Sequence, residues 1–216
     1  MASEATPIVF ICDDDYAMPT CVAIQSIIEN KAPETTYEVI IITSGLSAEN
    51  AKLLKGMATE TVALRTLTVS TGHLVGLHTS SADSFCVASS AALLKFEIPL
   101  LLAEYDRALY LDGDIIVRSD LSELLGSGIA DCAAGVVSDS GQIYFKHAFV
   151  EKVENYFNSG VMLLNLDVMR QLNMTHVLTE KKRELQDSLL MDQNVFNVVL
   201  DGRVKHLPIR DRKSVV

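Results

Sequence analysis

Residues 105–125 read YDRALYLDGDIIVRSDLSELL, and the step from Ala108–Leu111 into Asp112-Gly113-Asp114 decides the fold. Ala108 to Leu111 is a short apolar run of the kind that forms a strand buried on both faces, and it stops abruptly at an acid. The same design stands near the start, where Ile8 to Cys12 is an unbroken apolar run followed by Asp13, Asp14 and Asp15. Between and beyond these runs, short β-branched segments alternate with segments of helical spacing. That alternation predicts an α/β fold on a mostly parallel, Rossmann-like sheet flanked by helices. Strands are expected at Ile8–Cys12, Glu38–Thr43, Val62–Val69, Ala108–Leu111, Cys132–Val137, Val161–Asn165 and Val204–Leu207. Helices are expected at Ala17–Glu29, from the N-cap Ser47 to Met57, at Ser89–Leu102 with Pro99 bending or ending it, and at about 167–171, 175–187 and 192–200. Residues 70–84 are rich in Ser, Thr and Gly and read as a loop.

Composition narrows the function. Of 216 residues, 49% are hydrophobic and 21% charged, which excludes a disordered chain and suits one domain over 1–216. Eighteen Lys and Arg against 28 Asp and Glu give a formal charge of −10, the opposite of a nucleic-acid binder. No stretch reaches the ~20 apolar residues of a bilayer span. The four cysteines, Cys12, Cys21, Cys86 and Cys132, form no CxxC and read as reduced thiols of a cytoplasmic protein. The histidines His73, His78, His147 and His176 read as surface residues rather than metal ligands.

Acids at the C-terminal ends of two strands point to one ligand crevice. If the chain stays extended from Ala108 through Val117, Asp112 and Asp114 face the same side, and Gly113 lets a ligand approach the backbone. Two carboxylates about 4 Å apart repel by roughly 4 kcal/mol at an effective dielectric near 20, a cost that a divalent cation removes. All-oxygen ligands suit Mg²⁺ or Mn²⁺. Position matters more than the motif, because 15 aspartates in this length give about one chance D-x-D. Read alone, 112–114 also fits an acidic turn, 13–15 a loop with one helix-capping Asp, and Lys95 a helix-surface lysine.

The segments IVFICDDDYAMPTCVAIQSII, ALLKFEIPLLLAEYDRALYLDGDIIVRSDLSELL, YFNSGVMLLNLDVMR and MDQNVFNVVL, in that order across 7–210, make the chain resemble the family 8 glycosyltransferases. These are retaining sugar transferases of the GT-A fold that include bacterial lipopolysaccharide galactosyl- and glucosyltransferases. The resemblance implies a UDP-hexose donor, a saccharide acceptor such as lipopolysaccharide core, Mn²⁺ or Mg²⁺, and a location in the cytoplasm or peripheral to the inner membrane. It implies a uridine pocket lined by Ile11, Asp13, Asp15 and Tyr16, with Val87 and Ala88 near the uracil. Lys95 would be a donor-binding residue, standing where the family usually has arginine. Asp112 and Asp114 would hold the metal, and Asp139, Asn158 and Ser159 would face the sugar. Asp192 would bond a sugar hydroxyl, and Gln193 would lie where a nucleophile might be expected. The family continues into a His-x-x-Gly-x-x-Lys segment that contacts metal and diphosphate. The present sequence ends RKSVV without it, and His206 does not stand in such a motif. The alternative expectation is therefore a short homologue that binds UDP-sugar with weak or no turnover. A phosphoryl-transfer enzyme is disfavoured: Ile115 and Ile116 follow the D-G-D where a phosphatase wants a threonine, and residues 62–69 carry no aspartate.

Overall fold

The computed structural model describes residues 6–74, 77, 90–139, 153, 155–185 and 191–208. Val87, Ala88, Cys86, His78 and His147 lie outside the described residues. Seven strands form one sheet: β1 (Ile8–Ile11), β2 (Tyr37–Thr43), β3 (Val62–Thr68), β4 (Arg107–Leu111), β5 (Ala134–Ser138), β6 (Phe157–Asn165) and β7 (Val204–His206), in the order β3-β2-β1-β4-β6-β5-β7. Every pairing is parallel except the two made by β6, which runs against both β4 and β5. The mostly parallel sheet expected from sequence is therefore present, with one reversed strand inside it.

The apolar runs form central strands because both their faces are covered. Val9, Ile11, Ala108 and Tyr110 pack on one side, and Ile8, Phe10, Leu109 and Leu111 pack on the other. On the first side lie α3 (Ile98–Leu101), α5 (Leu166–Gln171), α6 (Met174–Glu184) and α7 (Met191–Val199), where Phe96 meets Phe196 edge-on at 5.2 Å. On the second lie α1 (Ala17–Asn30), α2 (Ala48–Lys55) and α4 (Ser122–Leu125). Ser47 caps α2 as expected, its side chain accepting from the Asn50 N–H.

Two local expectations need correction. Residues Ser90–Glu97 form a 3₁₀ helix rather than an α-helix, and Pro99 lies in the first turn of α3 instead of ending the helix. Proline fits there because its missing N–H would have had no intrahelical partner. Beyond Leu111 the chain does not stay extended: Gly113 and Asp114 form a turn. Asp112 is half-buried and Asp114 exposed, so they reach their common cavity from different backbone positions.

The reversed strand brings ends of both directions to one edge of the sheet. The C-terminal ends of β1, β4, β5 and β7 meet the N-terminal end of β6 there. The β5–β6 register jumps between Val136, paired with Met162, and Val137, paired with Asn158. This bulge detaches Ser159–Val161 from β5 and re-aims them toward β4.

Candidate active site

Asp112 is the hub. It leaves β4 on the face of Tyr110, two residues back, and its N–H donates to the Gly160 carbonyl at 2.8 Å. Its Oδ1 accepts from the Tyr110 hydroxyl at 2.7 Å and lies 3.1 Å from the Lys95 Nζ. Its Oδ2 accepts no hydrogen bond among the described residues and packs on Gly160, where an added Cβ would come within 2.3 Å of it. Gly113 is similarly confined, since a Cβ would meet Thr20 Oγ1 of α1 at 2.5 Å. These two glycines let the β4 turn, α1 and β6 close on one another.

Lys95, which the resemblance puts in the donor site, is buried beside Asp112. Far from lying on a helix surface, its side chain is 6% exposed and bridges Asp112 to Asp192, whose Oδ2 is 2.7 Å from Nζ. The ammonium sits 4.7 Å from the centre of the Tyr110 ring. Burial alone would discharge it, but Asp112 and Asp192 outweigh burial and hold its pKa well above the usual lysine value. Burial also works against the Asp112 carboxylate, yet Lys95 and Tyr110 keep its pKa below the ordinary range. Burial and the adjacent Asp112 push Tyr110 well above a normal phenol, so it remains a donor.

A second network continues from the first turn of α7. Asp192 Oδ2 also accepts from Ser159 Oγ at 3.0 Å. The Gln193 side-chain oxygen accepts from the Ser159 N–H at 3.0 Å, and its amide nitrogen donates to Asp139 Oδ2 at 3.0 Å. Asn158 Oδ1 accepts from the Gly160 N–H at 2.9 Å. Residues separated by up to 97 positions in the chain are thus joined into one polar cluster.

Beside it opens a cavity of about 160 Å³ lined by Ile11, Asp13, Tyr16, Lys95, Asp112 and Asp114, with Ala91, Ala92, Tyr110 and Gly113 completing its wall. Of the first acidic triplet, Asp13 accepts from the Tyr16 N–H, which closes the turn before α1 rather than capping the helix, and it also faces the cavity. Asp14 accepts from Ser47 N–H and Asn50 Nδ2, chiefly the former, and is held below the usual carboxylate pKa. Asp15 is exposed and is not part of the wall. Gly113 was singled out from sequence; Tyr110 and Gly160 were not. Period-two alternation back from Asp112 would have found Tyr110.

In donor chemistry the site fits a hard divalent cation: Asp112 is kept ionised with one oxygen uncommitted, and Asp114 lines the same cavity. No group of three or more His, Cys, Asp or Glu is placed to hold a metal among the described residues. His206 contacts Ser138 through Nδ1 at 3.2 Å, and His73 contacts Glu97. No helix among the described residues is long and apolar enough to cross a membrane.

The chain is similar to several known proteins. General stress protein A of Bacillus subtilis (strain 168) is 28% identical over 204 residues, 91% of this chain and 70% of that protein. A lipopolysaccharide 1,2-glucosyltransferase of Escherichia coli is 30% identical over 211 residues, 91% of this chain but only 59% of the enzyme. The chain thus spans less than two thirds of that relative's length. The crystal structure of the galactosyltransferase LgtC with donor and acceptor sugar analogs superposes with a TM-score of 0.80 at 25% identity, over 95% of this chain and 74% of that one. The sheet and its helices are therefore those of a GT-A glycosyltransferase. With the profile of Glycosyl transferase family 8 matching residues 7–210, the chain belongs to that family.

Proposed function

We propose that the protein transfers a hexose, glucose or galactose, from a UDP-sugar to a saccharide acceptor with retention of anomeric configuration, using Mn²⁺ or Mg²⁺. The observation that carries this reading is the convergence of Asp112, Lys95, Asp192, Ser159, Gln193 and Asp139 in one hydrogen-bonded cluster beside the cavity between β1 and β4. Ile11, Asp13 and Tyr16 of that cavity wall would receive the nucleoside, with Asp15 assigned to it and Val87 and Ala88 to the uracil by motif position alone. Asp112 Oδ2 and Asp114 would hold the cation, which when bound stabilises the charge that develops on the departing diphosphate.

The protein's own groups supply orientation. Asp192 and Asp139 have acceptor oxygens for sugar hydroxyls, and Asn158 and Ser159 border the same space on the bulged strand. The Gln193 amide is fixed at both ends, and its neutral oxygen is a poor nucleophile, so no covalent sugar–enzyme bond is invoked. The acceptor oxygen bonds to the anomeric carbon as the bond from that carbon to phosphate breaks. The phosphate leaves with the electron pair and takes the acceptor's proton, on the same face of the sugar. The positive charge that builds on the ring faces Asp139, Asp192 and the Gln193 oxygen.

The acceptor proposed is a glycan such as lipopolysaccharide core, by likeness to the relatives. Cys12, Cys21 and Cys132 are free thiols, which supports a cytoplasmic site of action, at the inner membrane if the acceptor is lipid-linked. The test is release of UDP from UDP-glucose and UDP-galactose with Mn²⁺, with and without an acceptor, and the anomeric form of the product by NMR. UDP release that chelation abolishes and an α-linked product from an α-linked donor are expected. Inverted product overturns the stereochemistry. UDP binding with no release from either donor overturns catalysis and leaves a nucleotide-sugar-binding protein.

A further inference from the structure

Lys95 places a buried positive charge on one side of the carboxylate whose other side is offered to a dication. Its ammonium is 3.1 Å from Asp112 Oδ1 and 2.7 Å from Asp192 Oδ2, and it also forms part of the cavity wall. The arrangement is braced: Tyr110 donates to the same Oδ1 at 2.7 Å and presents its ring to the ammonium at 4.7 Å. Among the described wall residues the charged groups are Asp13, Asp112 and Asp114 on one sign and Lys95 on the other, with Asp192 also paired to Lys95. A cation at Oδ2 must therefore approach a fixed like charge across a single carboxylate, whereas an anionic diphosphate entering the cavity meets that charge as an attraction.

We infer that Lys95 is an internal counter-ion that sets the cavity's ligand preference, weakening capture of a bare divalent cation while strengthening capture of the nucleotide diphosphate. The inference rests on the proposed cation site at Asp112. Lys95 also acts as a positioning residue, because one ammonium fixes the spacing of Asp112 from Asp192 and so of the metal-holding group from the sugar-holding one.

The two binding effects have opposite signs, which a merely structural role cannot reproduce. In Lys95→Met, Mn²⁺ titrated without nucleotide and followed by the EPR signal of free ion should bind about tenfold tighter. UDP titrated by calorimetry in EDTA should bind about tenfold weaker. Lys95→Arg keeps the charge and should leave both affinities within about threefold of wild type. If Lys95→Met does not fold by circular dichroism, Lys95→Gln, which keeps hydrogen-bond donors without charge, is expected to show the same opposed shifts. Mn²⁺ and UDP affinities that fall together, or an unchanged Mn²⁺ affinity, overturn the inference. Asp112→Asn separates the two levels. If it leaves Mn²⁺ binding intact, the cation-site reading fails. If it abolishes binding while Lys95→Met does not tighten it, only the counter-ion role fails.

Discussion

Two aspartates on the same stretch of chain, Asp112 and Asp120, are tied down in different ways. Asp120 is surrounded by neutral, fixed donors: the Ala32 N–H at 2.8 Å and the Tyr37 hydroxyl at 3.0 Å on Oδ2, and the Ser122 N–H at 2.8 Å on Oδ1. These donors overcome partial burial and hold its pKa far below the usual carboxylate value. Both its oxygens are used, and the result is a rivet joining the end of α1, β2 and the start of α4. Asp112 is matched instead by a buried ammonium and one phenol, both on Oδ1, with Oδ2 left over. A carboxylate whose partners saturate it does structural work. One whose charge is balanced while an oxygen stays uncommitted is built to receive something.

The comparison can be broken most sharply at Asp112. Asp112→Asn should lower UDP release by at least about a hundredfold while circular dichroism shows the fold retained. A variant with near wild-type turnover would put both aspartates in the structural class. The converse change, Asp120→Ala, orphans the Ala32 N–H and should cost about 2 kcal/mol in urea unfolding. Its UDP affinity per folded molecule should match wild type, and a loss there would make Asp120 more than a rivet.

Acid provides a finer test. Because the folded pKa of Asp120 is depressed from 3.8, its contribution to stability is complete above the unfolded pKa and is lost as pH falls through the folded one. Asp112 and Glu104, also depressed, act in the same direction. The urea midpoint should therefore fall from pH 5 to pH 2.5, and fall less in Asp120→Asn. Equal falls in both proteins would show that Asp120 is not a major source of the acid sensitivity. The smallest effect is expected at the exposed Asp15, where Asp15→Asn should change UDP affinity by less than about twofold, as for a solvent-screened surface charge. A larger loss would bring Asp15 into the pocket with Asp13.

What the sequence revealed follows from how local each signal is. Strands such as Ile8–Ile11 and Arg107–Leu111 were legible because burial on both faces leaves unbroken apolar runs. The 3₁₀ geometry of Ser90–Glu97 was not, since its apolar spacing over so few residues also fits an α-helix. Asp112 stood out by ending a strand, but the shared face predicted for Asp112 and Asp114 failed because Gly113 turns the chain. Read without the family resemblance, Lys95 looked like a surface residue, because its partner Asp192 lies 97 residues away and no local pattern reports such a contact; only the resemblance put it at the donor site. Asp120 was overlooked for the same reason, as Ala32 and Tyr37 precede it by more than 80 positions.

The reversal of β6 has a consequence for how the molecule can diversify. Because β5 finishes and β6 starts at the same rim, the link between them is anchored at both ends beside the cluster formed by Asp139 and Asn158. A change of side chain at Asp139, just past β5, alters that rim without removing a ladder bond from the sheet. Under the proposed function, specificity can thus vary along that rim while the sheet beneath it stays in place.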